Sequence, residues 1–201
     1  MSLHPSIMND ELRAKFGPVF SVVSFDPPAE TNMGWAILRS ENGVAHLVES
    51  GVHKVAAEEG ERLLGIQQFA VDLVDRHGDV AAMCFERAIG RGFDPTREKL
   101  GENTGVLKLV GYSYGIEVTK LHTMTMAKLF TGSGAAKGKK SRIKETARDL
   151  FFPGAKFRGI CPDGTGESFE HQADAIGFAC CFLLSIGVSI SGLGGTLIPE
   201  S

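Results

Sequence analysis

The chain has 201 residues, 43% of them hydrophobic, and 21 lysines and arginines stand against 24 acids to give a formal net charge of −3. That length is sufficient for one substantial domain with its own core, and no apolar run reaches the roughly 20 residues of a membrane span. The mildly acidic balance excludes a protein that coats nucleic acid indiscriminately. Residues 1–17 contain charges and no apolar stretch, so they predict an N-terminal extension and not a secretory signal.

The apolar patterns predict one α/β domain over residues 18–187. Three strands are expected first, and helices then alternate with strands, which favours a mixed sheet flanked by helices. Residues 188–201 are rich in glycine and are expected to form a flexible tail. The predicted strands are 19–25, 34–39, 44–55, 80–85 and 116–121, and the predicted helices are 61–77, 95–114, 125–130, 141–151 and 168–186.

The four cysteines form no C-x-x-C pair. Cys84, Cys180 and Cys181 lie in apolar runs, which favours buried, reduced thiols in a cytoplasmic protein and argues against a zinc site.

Acidic side chains end two of the predicted strands. Asp26 follows the first strand and Glu86 follows the fourth, and open α/β sheets commonly bind ligands at that edge. In the last helix, His171 and Asp174 extend the apolar stripe toward the amino end, so we expect both to face the sheet. Each acid also has a simpler interpretation: a turn aspartate, an exposed glutamate and a helix-start acid that offsets the helix dipole.

Three carboxylates in one place repel each other unless a counter-charge is present. Mg²⁺ or Mn²⁺, with its preference for oxygen ligands, is the natural counter-ion. Two such ions roughly 3.5–4 Å apart are the usual machinery of phosphodiester hydrolysis. The acids therefore predict a metal-dependent nuclease.

Basic residues are concentrated between Lys120 and Arg158, where only Glu145 and Asp149 oppose them. Such a cluster indicates one anionic partner surface, although a solvated loop and helix face would have the same composition. The clustered residues are Lys128, Lys137, Lys139, Lys140, Arg142, Lys144, Arg148 and Lys156.

Four segments, in order, resemble the RuvC family of Holliday junction resolvases, which have an RNase H-like fold. "SFDPPAETNMGWAIL" is similar to the opening strand, the Asp-Pro turn and the Gly-aromatic second strand of that family. "MCFERAIGRGFDPTREKLGENTGVLKLV" resembles the segment with the second acid and the following helix. "AKLFTGSGAAKGKKS" resembles the basic loop, and "HQADAIGFA" resembles the closing helix.

The resemblance implies an endonuclease that cuts symmetric strands of branched DNA and leaves 3′-hydroxyl and 5′-phosphate ends. Asp26, Glu86 and Asp174 would bind two Mg²⁺ or Mn²⁺ ions, and His171 would be either a metal ligand or the acid that protonates the leaving oxygen. Lys128 and Lys140 match DNA-contacting lysines of the family. The remaining expected DNA contacts are Arg91, Phe93, Lys99, Lys137, Lys139 and Arg142.

Two departures from the family indicate a divergent member, of bacterial or phage origin. The basic loop is longer than in typical members, and Ile89 stands where the family often has an aromatic residue, with Phe93 as the nearest substitute. The family forms homodimers through the helix that here contains Gly101 and Gly105, and some members work with branch-migration machinery. Tight packing of that helix on its own sheet would explain the two glycines equally well.

Two other functions remain open at the level of sequence. One is a junction-binding protein with reduced catalysis, which the intact acids oppose. The other is a phosphotransferase of the actin or sugar-kinase type, which normally has a glycine-rich phosphate loop after the first acid, whereas "DPPAETN" contains no glycine.

Overall fold

The computed structural model describes residues 14–28, 30–87, 95–131, 139–153 and 169–192, with backbone alone for 123, 124, 127 and 139–141. Its central strand, β1 (Val19–Asp26), pairs antiparallel with β2 (Asn32–Glu41) and parallel with β4 (Val80–Glu86). β2 continues antiparallel into β3 (Val44–Lys54), and β4 continues parallel into β5 (Glu117–Leu121). A short strand, β6 (Ser189–Ile190), pairs parallel with β3. The sheet order is therefore β5-β4-β1-β2-β3-β6.

Helices cover both faces of this sheet and divide the core in two. On one face lie α1 (Glu59–Arg76) and α2 (Pro95–Ser113), which pack on the sheet through residues such as Leu73 and Leu107. On the other face lie α3 (Thr123–Thr131), α4 (Lys139–Phe151) and α5 (Phe169–Ser185). The predicted α/β class, with a mixed sheet flanked by helices, is confirmed.

Side-chain alternation along β1 sets the direction of its last residue. Val23 and Phe25 belong to the core under α1 and α2, whereas Val22 belongs to the core under α5. Ser24 also faces α5, since its Oγ donates a hydrogen bond to the carbonyl of Ala175 at 2.7 Å. Because successive residues of a strand point to opposite faces, Asp26 is directed to the α5 side as well.

The predicted helices and strands are present, with ends that differ by a few residues. The structure also contains one strand that the sequence analysis did not predict, β6, which lies in the segment assigned to a C-terminal tail. Its residues Ser189 and Ile190 pair with Val44 and Ala45. Cys84, Cys180 and Cys181 are buried free thiols, and burial raises the pKa of Cys181 to about 12. None of the helices in the described ranges is long and apolar enough to cross a membrane.

Candidate active site

Two carboxylates lie side by side at one edge of the sheet. The β1–β4 register pairs Phe25 with Phe85, so Asp26 and Glu86 occupy the next positions on neighbouring strands, whose backbones run about 4.8 Å apart. Alternation directs Glu86, like Asp26, to the α5 face, because Cys84 two residues earlier belongs to the core on that face. The fold thus brings together the two acids that the sequence separates by a strand pair and a helix.

A hydrogen bond joins the first of these acids to α5. Nδ1 of His171 donates to Oδ2 of Asp26 at 2.7 Å, and Asp26 is only 9% exposed. This hydrogen bond raises the pKa of His171 above its ordinary value, while partial burial of the ring acts in the opposite direction. The negative charges of Asp26, Asp174 and Glu170 raise that pKa further. The imidazole is therefore held in the field of several acids and is stabilised in its protonated form.

The approach of α5 to this edge depends on a glycine. Gly34 is the β2 partner of Asp26, and the backbone of α5 at His171 lies directly against it. A Cβ built at Gly34 would overlap the His171 carbonyl group and would lie 3.0 Å from the backbone nitrogen of Gln172. The side chain of Gln172 then fixes the helix to β3 by donating from Nε2 to Oγ of Ser50 at 2.8 Å. Gly34, the glycine of the Gly-Trp pair that resembles the family motif, thus has a steric function.

A buried polar network holds the turn that follows Asp26. Nδ2 of Asn103, on α2, donates to the carbonyl of Pro28 at 2.8 Å, and its Oδ1 accepts from Nε of Arg62, on α1, at 3.1 Å. Arg62 is 2% exposed and pairs through Nη2 with Glu102 at 2.8 Å. A buried guanidinium requires such partners, because an unpaired charge is costly in the interior. The network therefore fixes the position of the turn relative to two helices.

Sequence analysis did not identify this network. One signal was present for Arg62, which lies at helical spacing before Ile66, Ala70 and Leu73 and therefore on the buried face of α1. No local pattern indicates Asn103, because its two partners lie on separate segments of the chain.

The predicted DNA contacts are distributed over several elements. Lys99 is exposed on α2, Lys128 on α3 and Arg142 on α4. Lys139 and Lys140 form the first residues of α4, with backbone alone described. Arg91, Phe93 and Lys137 lie outside the described residues.

The described residues contain no group of three or more His, Cys, Asp or Glu side chains arranged to hold a metal ion. What the structure shows is an acid–histidine contact between Asp26 and His171, the neighbouring strand end at Glu86, and the charge of Asp174 acting on the imidazole. The chemistry of these donors nevertheless suits a hard divalent cation, since carboxylate oxygens are the ligands that Mg²⁺ and Mn²⁺ prefer. The metal-binding roles of the four residues remain predictions.

Comparison with known proteins places this arrangement in context. The chain is 28% identical over 123 residues to the crossover junction endodeoxyribonuclease RuvC of Roseiflexus sp. (strain RS-1), which corresponds to 60% of this chain and 71% of the relative. No protein-family model matches the sequence. The fold is similar to Thermus thermophilus RuvC in complex with a Holliday junction substrate, with a TM-score of 0.64 and 20% identity over 81% of this chain and 92% of that one.

The chain is thus similar to RuvC proteins in sequence and in fold. A second structure of T. thermophilus RuvC has a TM-score of 0.63 at 20% identity and covers 83% of this chain and 96% of its own. The yeast mitochondrial Holliday junction resolvase Ydc2 has a TM-score of 0.56 at 13% identity, over 92% of this chain and 94% of that chain. The predicted resemblance to RuvC and the predicted RNase H-like fold are both confirmed.

We expect Gly34→Ala to separate α5 from β2, because the added methyl group overlaps backbone and not a movable side chain. The variant should lose several kcal/mol of unfolding free energy, by analogy with overpacked cores. It should also lose the His171–Asp26 hydrogen bond, which histidine NMR titration detects as a fall in the pKa of His171. Gly65→Ala is the control, since a Cβ there meets nothing within 4 Å. A Gly34→Ala protein with wild-type stability and titration would disprove the steric role.

We expect Asn103→Leu to lower the unfolding free energy by about 2–4 kcal/mol in urea titrations, because Arg62 loses a partner while it stays buried. The double variant Arg62→Leu/Asn103→Leu should recover part of that loss, since removing both polar partners leaves less unsatisfied charge. Strictly additive losses would mean that the two side chains do not act as a unit.

Proposed function

We propose that the protein is a crossover junction endodeoxyribonuclease, which resolves Holliday junctions or related branched DNA by paired phosphodiester hydrolysis. One observation carries the proposal: in a RuvC-like fold, Asp26 and Glu86 end adjacent parallel strands at the sheet edge, with His171 bound to the first. That edge is the place where open α/β sheets bind ligands. The name of the Roseiflexus relative describes the same activity.

Asp26, Glu86 and Asp174 are the residues that would hold Mg²⁺ or Mn²⁺, with two ions in each site. When bound, the ions supply an activated water and neutralise charge on the leaving oxygen. The negative charge of the carboxylates would attract the cations. Without the cations, the same carboxylates would repel the phosphates of DNA. Because the carboxylates lie at one edge of the sheet, they would also determine where the phosphate to be cut is held.

His171 is the proposed proton donor. Its Nδ1–H is directed to Asp26, so Nε2 is the nitrogen that can protonate the 3′-oxygen as it leaves. The hydrogen bond to Asp26 and the charges of the nearby acids raise the pKa of His171, which favours the protonated ring that a proton donor requires. Protonation of the leaving oxygen produces the 3′-hydroxyl, and the phosphate remains on the 5′ end.

The basic residues around α3 and α4 are the proposed contacts to the DNA backbone near the cut. Lys128 and Arg142 are exposed on these helices, Lys139 and Lys140 begin α4, and Lys137 precedes them in the sequence. Arg91, Phe93 and Lys99 are proposed to contact the junction on the other side of Glu86. Lysine and arginine bind phosphates without base specificity, which suits an enzyme that recognises the shape of branched DNA.

A homodimer would match the two equivalent strands of a four-way junction. A Cβ built at Gly101 or Gly105 meets nothing within 4 Å, so these glycines do not serve helix-on-sheet packing within the subunit. Leu109 and Tyr112 continue the same side of α2 and are 61% and 65% exposed. We propose that this face of α2, formed by Gly101, Gly105, Leu109 and Tyr112, packs against a second copy.

Asp26→Asn should abolish cleavage of a labelled four-way junction and leave binding intact. The substitution removes one negative charge with little change of shape, and we expect a loss of roughly 10³-fold or more in rate, which is about 4 kcal/mol of transition-state stabilisation. The assay compares four-way, Y-shaped and linear DNA, with and without Mg²⁺. Asp75→Asn is the control, because Asp75 lies near the end of α1, on the other face of the sheet from Asp26. Normal cleavage by Asp26→Asn would refute the proposed site, and a wild-type protein that binds but never cuts would be a junction-binding protein.

Gly105→Leu should convert the dimer to a monomer in sedimentation velocity experiments, because an isobutyl group prevents close approach of the two α2 helices. Gly65→Leu provides the matched control, as Gly65 is also a helical glycine with open space around its Cβ position. If Gly105→Leu sediments as the wild type does, the dimer contact lies elsewhere.

A further inference from the structure

Helix α2 lies unusually close to β5, and a glycine makes this possible. A Cβ built at Gly111 would be 2.5 Å from Cγ2 of Val118 and 3.5 Å from Sδ of Met83. The turn between the two elements is short: the backbone nitrogen of Ile116 donates to the carbonyl of Gly111 at 2.9 Å. The chain therefore folds back on itself, and α2 and β5 run antiparallel, with the backbone of α2 at Gly111 packed against the Val118 side chain.

This close contact brings two lysines together. Lys108 lies one helical turn before Gly111, and Lys120 lies two residues after Val118 on the same face of β5. Because the helix and strand are antiparallel, both steps lead toward the carboxyl edge of the sheet, where Glu86 lies. The two side chains therefore lie close enough for the charge of Lys108 to act on Lys120, and Lys120 is exposed.

Arg87 adds a third positive charge. It directly follows Glu86, and its backbone nitrogen donates to the carbonyl of Leu121 at 2.7 Å, so it extends β4 alongside the end of β5. The contact with Lys108 lowers the pKa of Lys120, the charge of Lys108 and slight burial lower it further, and Arg87 contributes last. Within the described ranges, none of the three side chains forms an ion pair with a carboxylate.

The three positive charges lie near one another and repel, and no ion pair within the described ranges offsets them. An anion bound between them would remove the repulsion. The polyanion already expected at this edge is DNA, whose phosphates follow each other closely along the strand. β5 is two strands from β1, or about 10 Å across the sheet, which is less than the width of a double helix. DNA held at Asp26 would therefore extend over this cluster.

We propose that Arg87, Lys108 and Lys120 form a second contact to the DNA backbone, which binds phosphates of a duplex arm on the α2 side of the sheet edge. The inference rests on the proposed function, since it extends the DNA contact of the same site. The carboxylates face α5, whereas this cluster faces α2, so the two groups engage different parts of the branched substrate. The cluster adds affinity and orientation for the arm that is not being cut.

The test measures junction affinity of the full-length chain at several salt concentrations, without Mg²⁺. Lys108→Gln/Lys120→Gln should bind a four-way junction on the order of 10–100-fold more weakly near 0.1 M salt. The slope of log affinity against log salt should fall in magnitude by about two, because two phosphate contacts and their released counterions are lost. With Mg²⁺ present, the junction concentration needed for half-maximal cleavage should rise by the same factor.

Lys15→Gln/Arg76→Gln is the matched control, since it removes two positive charges from the opposite edge of the sheet, where both side chains pair with acids. It should bind as the wild type does. If the wild type cuts junctions and the Lys108/Lys120 variant keeps its affinity and salt slope, or weakens no more than the control, the cluster is not a DNA contact and the proposed function is unaffected. A wild type that neither binds nor cuts junctions would overturn both.

Discussion

The contact between the amino-terminal end of α5 and the β1–β2 pair is the constraint on which the site depends. Asp26 reaches the correct face because β1 alternates strictly, but its partner His171 reaches it only because Gly34 has no side chain. Ser24 and Ser50 then hold α5 at two further points along the sheet. The helix is thus fixed by backbone contact and by side-chain hydrogen bonds, which is the rigidity that a site for charged groups requires.

The same edge is coupled to α2 by a second set of interactions. Asn103 connects the Pro28 carbonyl, two residues after Asp26, to the buried Arg62. Gly101 and Gly105, on the exposed side of the same helix, form part of the proposed dimer face. A displacement of α2 on dimerisation would therefore be transmitted through Asn103 to the turn that follows the first acid. Such a connection would give the two subunits of the proposed dimer a physical route by which each could influence the other's site.

Much of the fold follows from the sequence, and the reasons for the exceptions are physical. Strand ends at Asp26 and Glu86 were predictable because buried strands are continuous apolar runs, and α5 was predictable from its apolar stripe. β6 has only two residues, too few for a pattern. The Asn103 network joins segments far apart in the chain, and only the fold shows that Gly111 packs on the sheet whereas Gly105 does not. Residues of one type in one helix can have opposite environments, which a single sequence does not distinguish.

The proposed DNA surface is compatible with a net charge of −3, because the charges of the chain are unevenly distributed. The acids at the sheet edge are grouped on the α5 side, and divalent cations can neutralise their negative charge. Basic side chains lie on either side of these acids. Lys128 and Arg142 are on α3 and α4, and Arg87, Lys108 and Lys120 lie toward α2. The potential that DNA meets is therefore set by the local arrangement and not by the sum, since screening removes the effect of charges beyond about 10 Å at 0.1 M salt. An acidic centre flanked by two basic groups would attract a phosphate backbone from both sides and leave its middle over the acids.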